Sequence, residues 1–366
     1  MAERAEALLD PGALEAQSSA GSLWLARGRL ALRPVLLAVT DRTRAGGALG
    51  AAESGALRNL LSQACRDGQA VVLLLESAGA KLDEGLSALG AFRRLFAAAL
   101  EARLAGVPMA AVITGDCFGG ASLLACACAQ RFALAGARFG LSGPGIIQAL
   151  GGVTELDASD RDAVQRLLGV SARHGARLFE RICDDNGPAL RTALSGLLAA
   201  RPTIDLHAEH RRLRERLTKA GVAVHAPGDA WRAFGSGRAV GALECWLAAD
   251  AVLDRPAEDL AITLDSPGQA TTRLDEAVGL SQYVAHLALC LASFRAGGGR
   301  LRLRLGGEAA GAIYVALAAP ADRVSASRST LVRTLPPRAV AEVLRTPAAE
   351  ESIEAALTAG VVDEIA

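Results

Sequence analysis

Two short stretches of small residues in this chain could bind an anion through the main chain. One is Ser77-Ala78-Gly79-Ala80, which closes the aliphatic run Val72-Leu73-Leu74-Leu75. The other is Gly119-Gly120, reached through Ala110-Ala111-Val112-Ile113-Thr114-Gly115-Asp116-Cys117-Phe118 and followed by apolar residues. Residues with little or no side chain let a ligand approach the backbone, and glycine accepts positive φ, so such turns can aim N–H groups outward. Where Gly120 opens a helix, the first N–H groups lack intrahelical partners and the positive end of the dipole faces the turn. Side by side, the two turns would focus N–H donors on one developing negative oxygen. A lone Gly-Gly pair equally suits close packing of a helix on a sheet. Its pairing with a small-residue turn, repeated in the chain, favours the anion reading.

The repeat lies about 190 residues downstream. Ala261-Ile262-Thr263-Leu264-Asp265-Ser266-Pro267-Gly268-Gln269 stands where the first turn stood. Leu301-Arg302-Leu303-Arg304-Leu305 then runs through Gly306-Gly307-Glu308-Ala309-Ala310-Gly311 into the apolar residues from Ala312 onward. The register continues, with Arg131-Phe132 matched by Arg323-Val324 and Pro144 by Pro336. One fold unit occurs twice, and Gly268, Gln269, Gly311 and Ala312 form a second candidate anion site.

Positioning these turns requires buried strands and covering helices. Continuous Val, Leu and Ile runs predict strands over 35–40, 71–75 and 109–114, covered on both faces. Helices are predicted near 55–65, 84–105 and 121–130, the second stopped by Gly106-Val107-Pro108. Residues 1–25 read as a turn at Asp10-Pro11-Gly12 followed by a Ser/Ala-rich stretch. A helical scaffold is expected over 159–200, then a solvated, charged linker helix over 201–219 and the loop Ala226-Pro227-Gly228. The resulting division is 1–200 and 201–366, an α/β chain of two tandem units, and 366 residues suffice for two cores.

Hydrophobic residues make up 51% and charged residues 21% of the chain, which excludes disorder, and 39 basic residues balance 39 acidic ones. Zero net charge supplies no long-range field toward nucleic acid or an anionic membrane. No apolar run approaches the ~20 residues needed to span a bilayer, and the charged start lacks the apolar stretch of a secretory signal, so a cytoplasmic protein is expected. Seven cysteines, mostly in Ala/Leu-rich stretches, read as reduced, buried thiols. Cys117, in the glycine turn, is the one to weigh as a nucleophile against a packing role. Cys126 and Cys128 point to different faces of a helix and cannot share a metal, and no zinc site is expected. Of the histidines His174, His207, His210, His225 and His286, the last sits on an apolar helix face, either functional or a satisfied core group. Arg273 either binds a carboxylate bidentately or is a solvated loop arginine.

The segments Arg4-Ala5-Glu6-Ala7-Leu8-Leu9-Asp10-Pro11-Gly12, Arg44-Ala45-Gly46-Gly47-Ala48-Leu49-Gly50 and Ser77-Ala78-Gly79-Ala80-Lys81-Leu82-Asp83-Glu84-Gly85 resemble the carboxyltransferase branch of the crotonase superfamily. Gly115-Asp116-Cys117-Phe118-Gly119-Gly120, Leu141-Ser142-Gly143-Pro144 and Asp157-Ala158-Ser159-Asp160-Arg161 are similar to the beta subunit of biotin-independent malonate decarboxylases. The second half resembles the gamma subunit of that family, through Leu264-Asp265-Ser266-Pro267-Gly268-Gln269-Ala270, Arg273 and the helix around His286. The chain thus looks like a shortened fusion of both. Ala78 and Lys81 depart from the family's usual Ser-Gly-Gly with a following Arg, and Glu308-Ala309-Ala310 stands where a more polar, Ser-containing stretch is usual.

The resemblance implies two crotonase-like ββα-spiral units and decarboxylation of a malonyl thioester. Loss of CO2 leaves an enolate with its charge largely on the thioester oxygen, so fixed N–H donors lower the barrier selectively. The hole is assigned to Gly79 or Ala80 and Gly120, with Gly119 shaping the turn. Gly268, Gln269, Gly311, Ala312, Arg273, Ser142 and Gly143 are expected at the substrate. No bound metal or cofactor is expected; the thioester rides on a coenzyme A derived arm of an acyl carrier protein, or is an acyl-CoA. Further decarboxylase subunits and a homodimer or larger oligomer are expected, and neither nucleic acid nor membrane. The alternatives are the carboxyltransferase subunit of a biotin-dependent acyl-CoA carboxylase, which binds biotin at the second site, and a catalytically silent scaffold.

Overall fold

The computed structural model describes residues 6–173, 177–185, 187–197, 203–225, 229–346 and 352–366. Arg4-Ala5, His174, the boundary at 200/201 and the loop Ala226-Pro227-Gly228 lie outside the described residues.

The first half builds an eight-stranded sheet from β1 (Ala16–Ala20), β2 (Leu23–Leu30), β3 (Arg33–Thr40), β4 (Ala70–Ser77), β5 (Met109–Cys117), β6 (Gln130–Leu134), β7 (Arg138–Phe139) and β8 (Arg181–Cys183). The order is β1-β2-β3-β4-β5-β6-β8, with β7 paired to the end of β5. β1 to β3 form an antiparallel meander, and β3 onward is parallel. Helices α1 (Ala51–Asp67), α2 (Gly85–Leu104) and α3 (Gly120–Ala127) make the crossovers that parallel pairing demands. Then follow α4 (Pro144–Gly151), α5 (Arg161–Leu168) and α6 (Gly187–Leu197).

The second half carries α7 (Leu206–Lys219), α8 (Ala242–Leu253), β9 (Asp259–Ser266), α9 (Arg273–Val278), α10 (Leu280–Ala296), β10 (Arg300–Ala310), α11 (Gly311–Ala318), β11 (Arg323–Ala326), β12 (Leu331–Arg333), α12 (Pro337–Leu344), α13 (Ile353–Thr358) and β13 (Glu364–Ile365). Its five strands are all parallel, and β9, β10, β11, β12 and β13 take the places of β4, β5, β6, β7 and β8. The copy extends to an irregularity. β4 and β5 pair up to Leu75 and Ile113 and resume at Ser77 and Cys117, while β9 and β10 pair up to Leu264 and Leu305 and resume at Ser266 and Ala309. The extra residues, Thr114-Gly115-Asp116 and Gly306-Gly307-Glu308, swing each central strand out so that its end meets a different neighbour, β7 or β12. The architecture is α/β, two tandem parallel-sheet units of the expected crotonase-like type.

Several expectations are corrected. The helix expected over 121–130 stops at Ala127, and Gln130 begins β6. The Ser/Ala-rich stretch after the Asp10-Pro11-Gly12 turn forms β1 and the start of β2, strands that no aliphatic run announces. The scaffold expected as helical contains strand β8 between α5 and α6. α7 is not a solvated linker: it buries His210, Leu213 and Leu217 and packs on α8 and α10. The second unit's strands differ from the aliphatic runs of the first in being buried on one face only. β9 and β10 alternate, with Ile262, Leu264, Leu303 and Leu305 buried and Thr263, Arg302 and Arg304 exposed, a period-two pattern already visible in Leu301-Arg302-Leu303-Arg304-Leu305.

Both halves share one core. Leu95, Phe96 and Leu124 pack in the same cluster as Tyr283, Leu287 and Tyr314, each such side chain contributing about 1.5–3 kcal/mol. Helices α3 and α10 face each other, with Ser122 Oγ and Ser281 Oγ 2.9 Å apart. From α2, Arg93 donates to the carbonyl of Ala318 at 3.1 Å and to the Asp363 carboxylate at 2.9 Å. No helix among the described residues is long and apolar enough to cross a membrane.

Candidate active site

Each turn is set by a serine at the end of its strand. Ser77 Oγ accepts the Gly79 N–H at 3.1 Å, and the Gly79 carbonyl accepts the Leu49 N–H at 2.8 Å. The Lys81 N–H then bonds Leu49 O at 3.1 Å. This folds the chain through φ +112° at Gly79 and leaves the Ala80 N–H, among the described residues, without an acceptor. The second turn is tied to the first, with the Phe118 N–H donating to Ser77 O and the Gly119 N–H to Leu141 O, both at 3.0 Å. Gly119 adopts φ +58°, and a Cβ there would stand 3.2 Å from Gly79 Cα. The two turns are therefore in contact, and Gly120 follows as the first residue of α3, its N–H lacking an intrahelical acceptor. Of the N–H groups assigned by sequence, that of Gly79 is spent on Ser77, and those of Ala80 and Gly120 have no acceptor among the described residues.

Both residues line a cavity of about 240 Å³. Its walls are largely apolar, with Leu89, Phe92, Phe118, Leu123 and Ile146 from the first half and Val315 and Leu344 from the second. Ser142 and Gly143 line it, and the Ser142 hydroxyl is buried without a partner. Lys81 also lines it, but its ammonium is held by Glu53 at 2.6 Å and lies 3.5 Å from Glu84. Burial opposes the Lys81 charge, yet the bond to Glu53 and the two carboxylates prevail and raise its pKa. Glu53, fully buried, also accepts the N–H groups of Ser22 and Gly50 at the start of α1. Burial pushes its pKa up, but these bonds outweigh it and hold the group below the usual range.

The second pair of turns copies the backbone. Ser266 Oγ accepts the Gly268 N–H at 3.1 Å, Gly268 O accepts the Val240 N–H at 2.9 Å, and Gly268 and Gly311 take φ +113° and +62°. The difference is a side chain. Gln269 stands where Ala80 stands, and its Oε1 accepts the Ala312 N–H at 3.1 Å, the counterpart of the Gly120 N–H. Because a backbone N–H requires an acceptor, the carboxamide must place Oε1 inward and Nε2 outward. Gln269, Gly311 and Ala312 line the same cavity as the first pair; Gly268 lies behind them and is not among the lining residues.

Other sequence candidates lie elsewhere. Arg273, first residue of α9, donates through Nε to Glu155 O at 3.0 Å and through Nη2 to Thr154 O at 3.2 Å, so it pins the loop after α4 and is outside the cavity. Cys117 is fully buried, and burial raises its thiol pKa well above the ordinary value, which suits packing. His286 lines a separate polar cavity with Arg103 and Glu209. It bonds His210 at 3.2 Å, and burial pushes its pKa down to about 4. Sequence reasoning passed over Ser77 and Ser266, although a serine two residues before glycine in both copies was a readable signal. Glu276 was also missed. Fully buried on α9, it accepts the N–H groups of Leu141 and Ser142 at 3.1 and 2.7 Å, and no local pattern announces that contact.

Residues 7–171 match the carboxyl transferase domain family, and residues 235–363 match the malonate decarboxylase gamma subunit family. The chain is 36% identical over 97 residues to the methylmalonyl-CoA carboxyltransferase 12S subunit of Propionibacterium freudenreichii subsp. shermanii, covering 26% of this chain and 18% of that protein. It is 34% identical over 125 residues to the acetyl-coenzyme A carboxylase carboxyl transferase subunits beta/alpha of Parafrankia sp., covering 34% and 20%. The chain thus spans about a fifth of the length of these curated relatives. Among solved structures it is similar to a Pseudomonas malonate decarboxylase hetero-tetramer in complex with malonate, at 29% identity and a TM-score of 0.53, covering 62% of this chain and 91% of that one. The Pseudomonas MdcD-MdcE hetero-dimer is comparable, at 29% and 0.50, covering 60% and 93%.

Proposed function

We propose that this chain, a carboxyl transferase domain joined to a malonate decarboxylase gamma-subunit domain, removes CO2 from a malonyl thioester. The observation that carries the reading is the contact between the two first-half turns, whose residues Ala80 and Gly120, with no N–H acceptor among the described residues, line one largely apolar cavity. The bond between the α-carbon and the carboxylate breaks, and its electron pair forms the enolate. Neutral CO2 departs, the two amides hold the enolate oxygen, and a proton added at the α-carbon gives the acetyl thioester. Gln269 Nε2 offers two N–H donors to the malonyl carboxylate, with the Ser142 hydroxyl as a further polar contact. A carboxylate among apolar walls, with Lys81 already paired, is poorly solvated, which favours its loss as CO2.

Support for the acyl group comes from the malonate held by the Pseudomonas decarboxylase, and for the thioester from the CoA esters named in the curated relatives. An acyl carrier protein with a coenzyme A derived arm, further decarboxylase subunits, assembly as a homodimer or larger oligomer, a cytoplasmic setting and a division near 200/201 belong to the same proposal.

Those relatives' names also support the carboxyltransferase reading, with biotin at the second pair of turns. Gln269 argues against it, since its own amide oxygen already occupies the Ala312 N–H. The purified chain, given malonyl-CoA or a malonyl carrier protein, is expected to release CO2 in step with acetyl thioester, unaffected by avidin. Turnover only with carboxybiotin, or binding without turnover, would defeat the proposal.

A further inference from the structure

Glu276 is a buried side chain of the second half that grips the first-half loop Leu141–Ser142, which in turn braces the glycine turn. Its two carboxylate oxygens accept the Leu141 and Ser142 N–H groups, and the Leu141 carbonyl in turn accepts the Gly119 N–H. Gly119 directly precedes Gly120, and Gly120 and Ser142 line the cavity. The packing leaves the carboxylate no slack, since a Cβ on Gly140 would fall 2.9 Å from Glu276 Oε2. We infer that Glu276 is a positioning residue for the anion site, holding the Leu141–Ser142 backbone, and through it Gly119 and Gly120, in the donor geometry only while it is ionised.

The chemistry requires both oxygens as acceptors. Protonation turns one into a hydroxyl, a much poorer acceptor than a carboxylate oxygen, which loosens its hold on that backbone N–H. The charged groups around it are few. Arg173, from the segment after α5, donates to the Phe139 and Glu276 main-chain carbonyls and favours the carboxylate. Asp275 on the same helix opposes it, and Arg216 of α7 reaches Val278 O at the far end of α9. Burial dominates and raises the Glu276 pKa to about 7. The active form is the base, so turnover rises with pH through that value. Stability runs the other way: an acid whose pKa is raised by folding favours the folded state most at low pH, and that contribution fades as pH climbs through about 7.

The rate arm rests on the decarboxylase reading; the exchange and stability arms do not. In Glu276→Gln, one oxygen still serves an N–H while the NH2 confronts the other. Amide hydrogen exchange at Leu141, Ser142 and Gly119 is expected to quicken by about tenfold or more, and the wild-type decline in thermal midpoint between about pH 5 and 7 to flatten. With malonyl thioester, kcat should fall about tenfold with KM little changed, and its dependence on pH near 7 should vanish. Unchanged exchange at those three amides, or a variant that keeps the wild-type kcat–pH profile while losing only stability, overturns the inference. Altered exchange and a flattened midpoint without decarboxylation in either protein would support the positioning role and reject the function.

Discussion

The two pairs of turns share a backbone to within a few degrees at their glycines, +112° against +113° and +58° against +62°, yet present different chemistry to the same cavity. In the first, Ala80 has no side chain that can reach back, and Ala80 and Gly120 line the cavity with amides that find no acceptor among the described residues. In the second, Gln269 folds onto Ala312 and substitutes a carboxamide NH2 for a main-chain donor. The lesson is that a duplicated turn can be retained as architecture while one side chain covers a main-chain N–H and offers a carboxamide in its place. The support beneath the turns differs as well. Glu53 caps α1 and is charge-paired with Lys81, whereas its counterpart Glu244 caps α8 through the Gly241 N–H, and Ala270 stands in the place of Lys81.

The largest expected effect comes from making the first site resemble the second. In Ala80→Gln the carboxamide should fold onto the Gly120 N–H and lower kcat by about 10²–10³-fold, near 3–4 kcal/mol. A folded variant with wild-type kcat on malonyl thioester would mean that the first pair is not the oxyanion site. This is a cleaner test than Gly120→Val, because a Cβ at Gly120 would lie 2.9 Å from the Phe92 ring and disturb the core as well. Next in size, Lys81→Met leaves Glu53 charged and fully buried, and is expected to cost about 3 kcal/mol in denaturant unfolding. Glu244→Ala, removing a half-buried cap with no such partner, should cost about 1 kcal/mol, and equal losses in the two variants would erase the contrast. The smallest effect is expected for Gln269→Ala, which removes a donor to the malonyl carboxylate and should raise KM about threefold, about 0.7 kcal/mol, with kcat nearly kept. A fall in kcat at constant KM would instead place the second pair at the transition state.

Much of the candidate site was legible in the sequence. Gly79, Ala80, Gly119 and Gly120 stand out because small residues at strand ends are cheap to recognise, and the repeat made Gln269, Gly311 and Ala312 their counterparts. Arg273 was harder: arginine beside a turn signals an anion, but whether it meets a ligand or the carbonyls of Thr154 and Glu155 depends on a loop over a hundred residues away. The one-sided burial of the second unit's strands was readable in the alternation of Leu301-Arg302-Leu303-Arg304-Leu305, because a strand places successive side chains on opposite faces. α7 was misjudged because its charges were counted while the spacing of His210, Leu213 and Leu217, one face of a helix, was not.

Local sequence alone determined the small-residue turns, the strands that end in them and their duplication, because positive φ, close backbone approach and aliphatic runs are properties of neighbouring residues. Tertiary structure alone decided which amides remain unpaired. Whether the N–H of Gly79, Ala80, Gly120 or Ala312 finds Ser77, the cavity or Gln269 depends on partners brought together by the sheet, and a hydrogen bond is set by position in space rather than by distance along the chain.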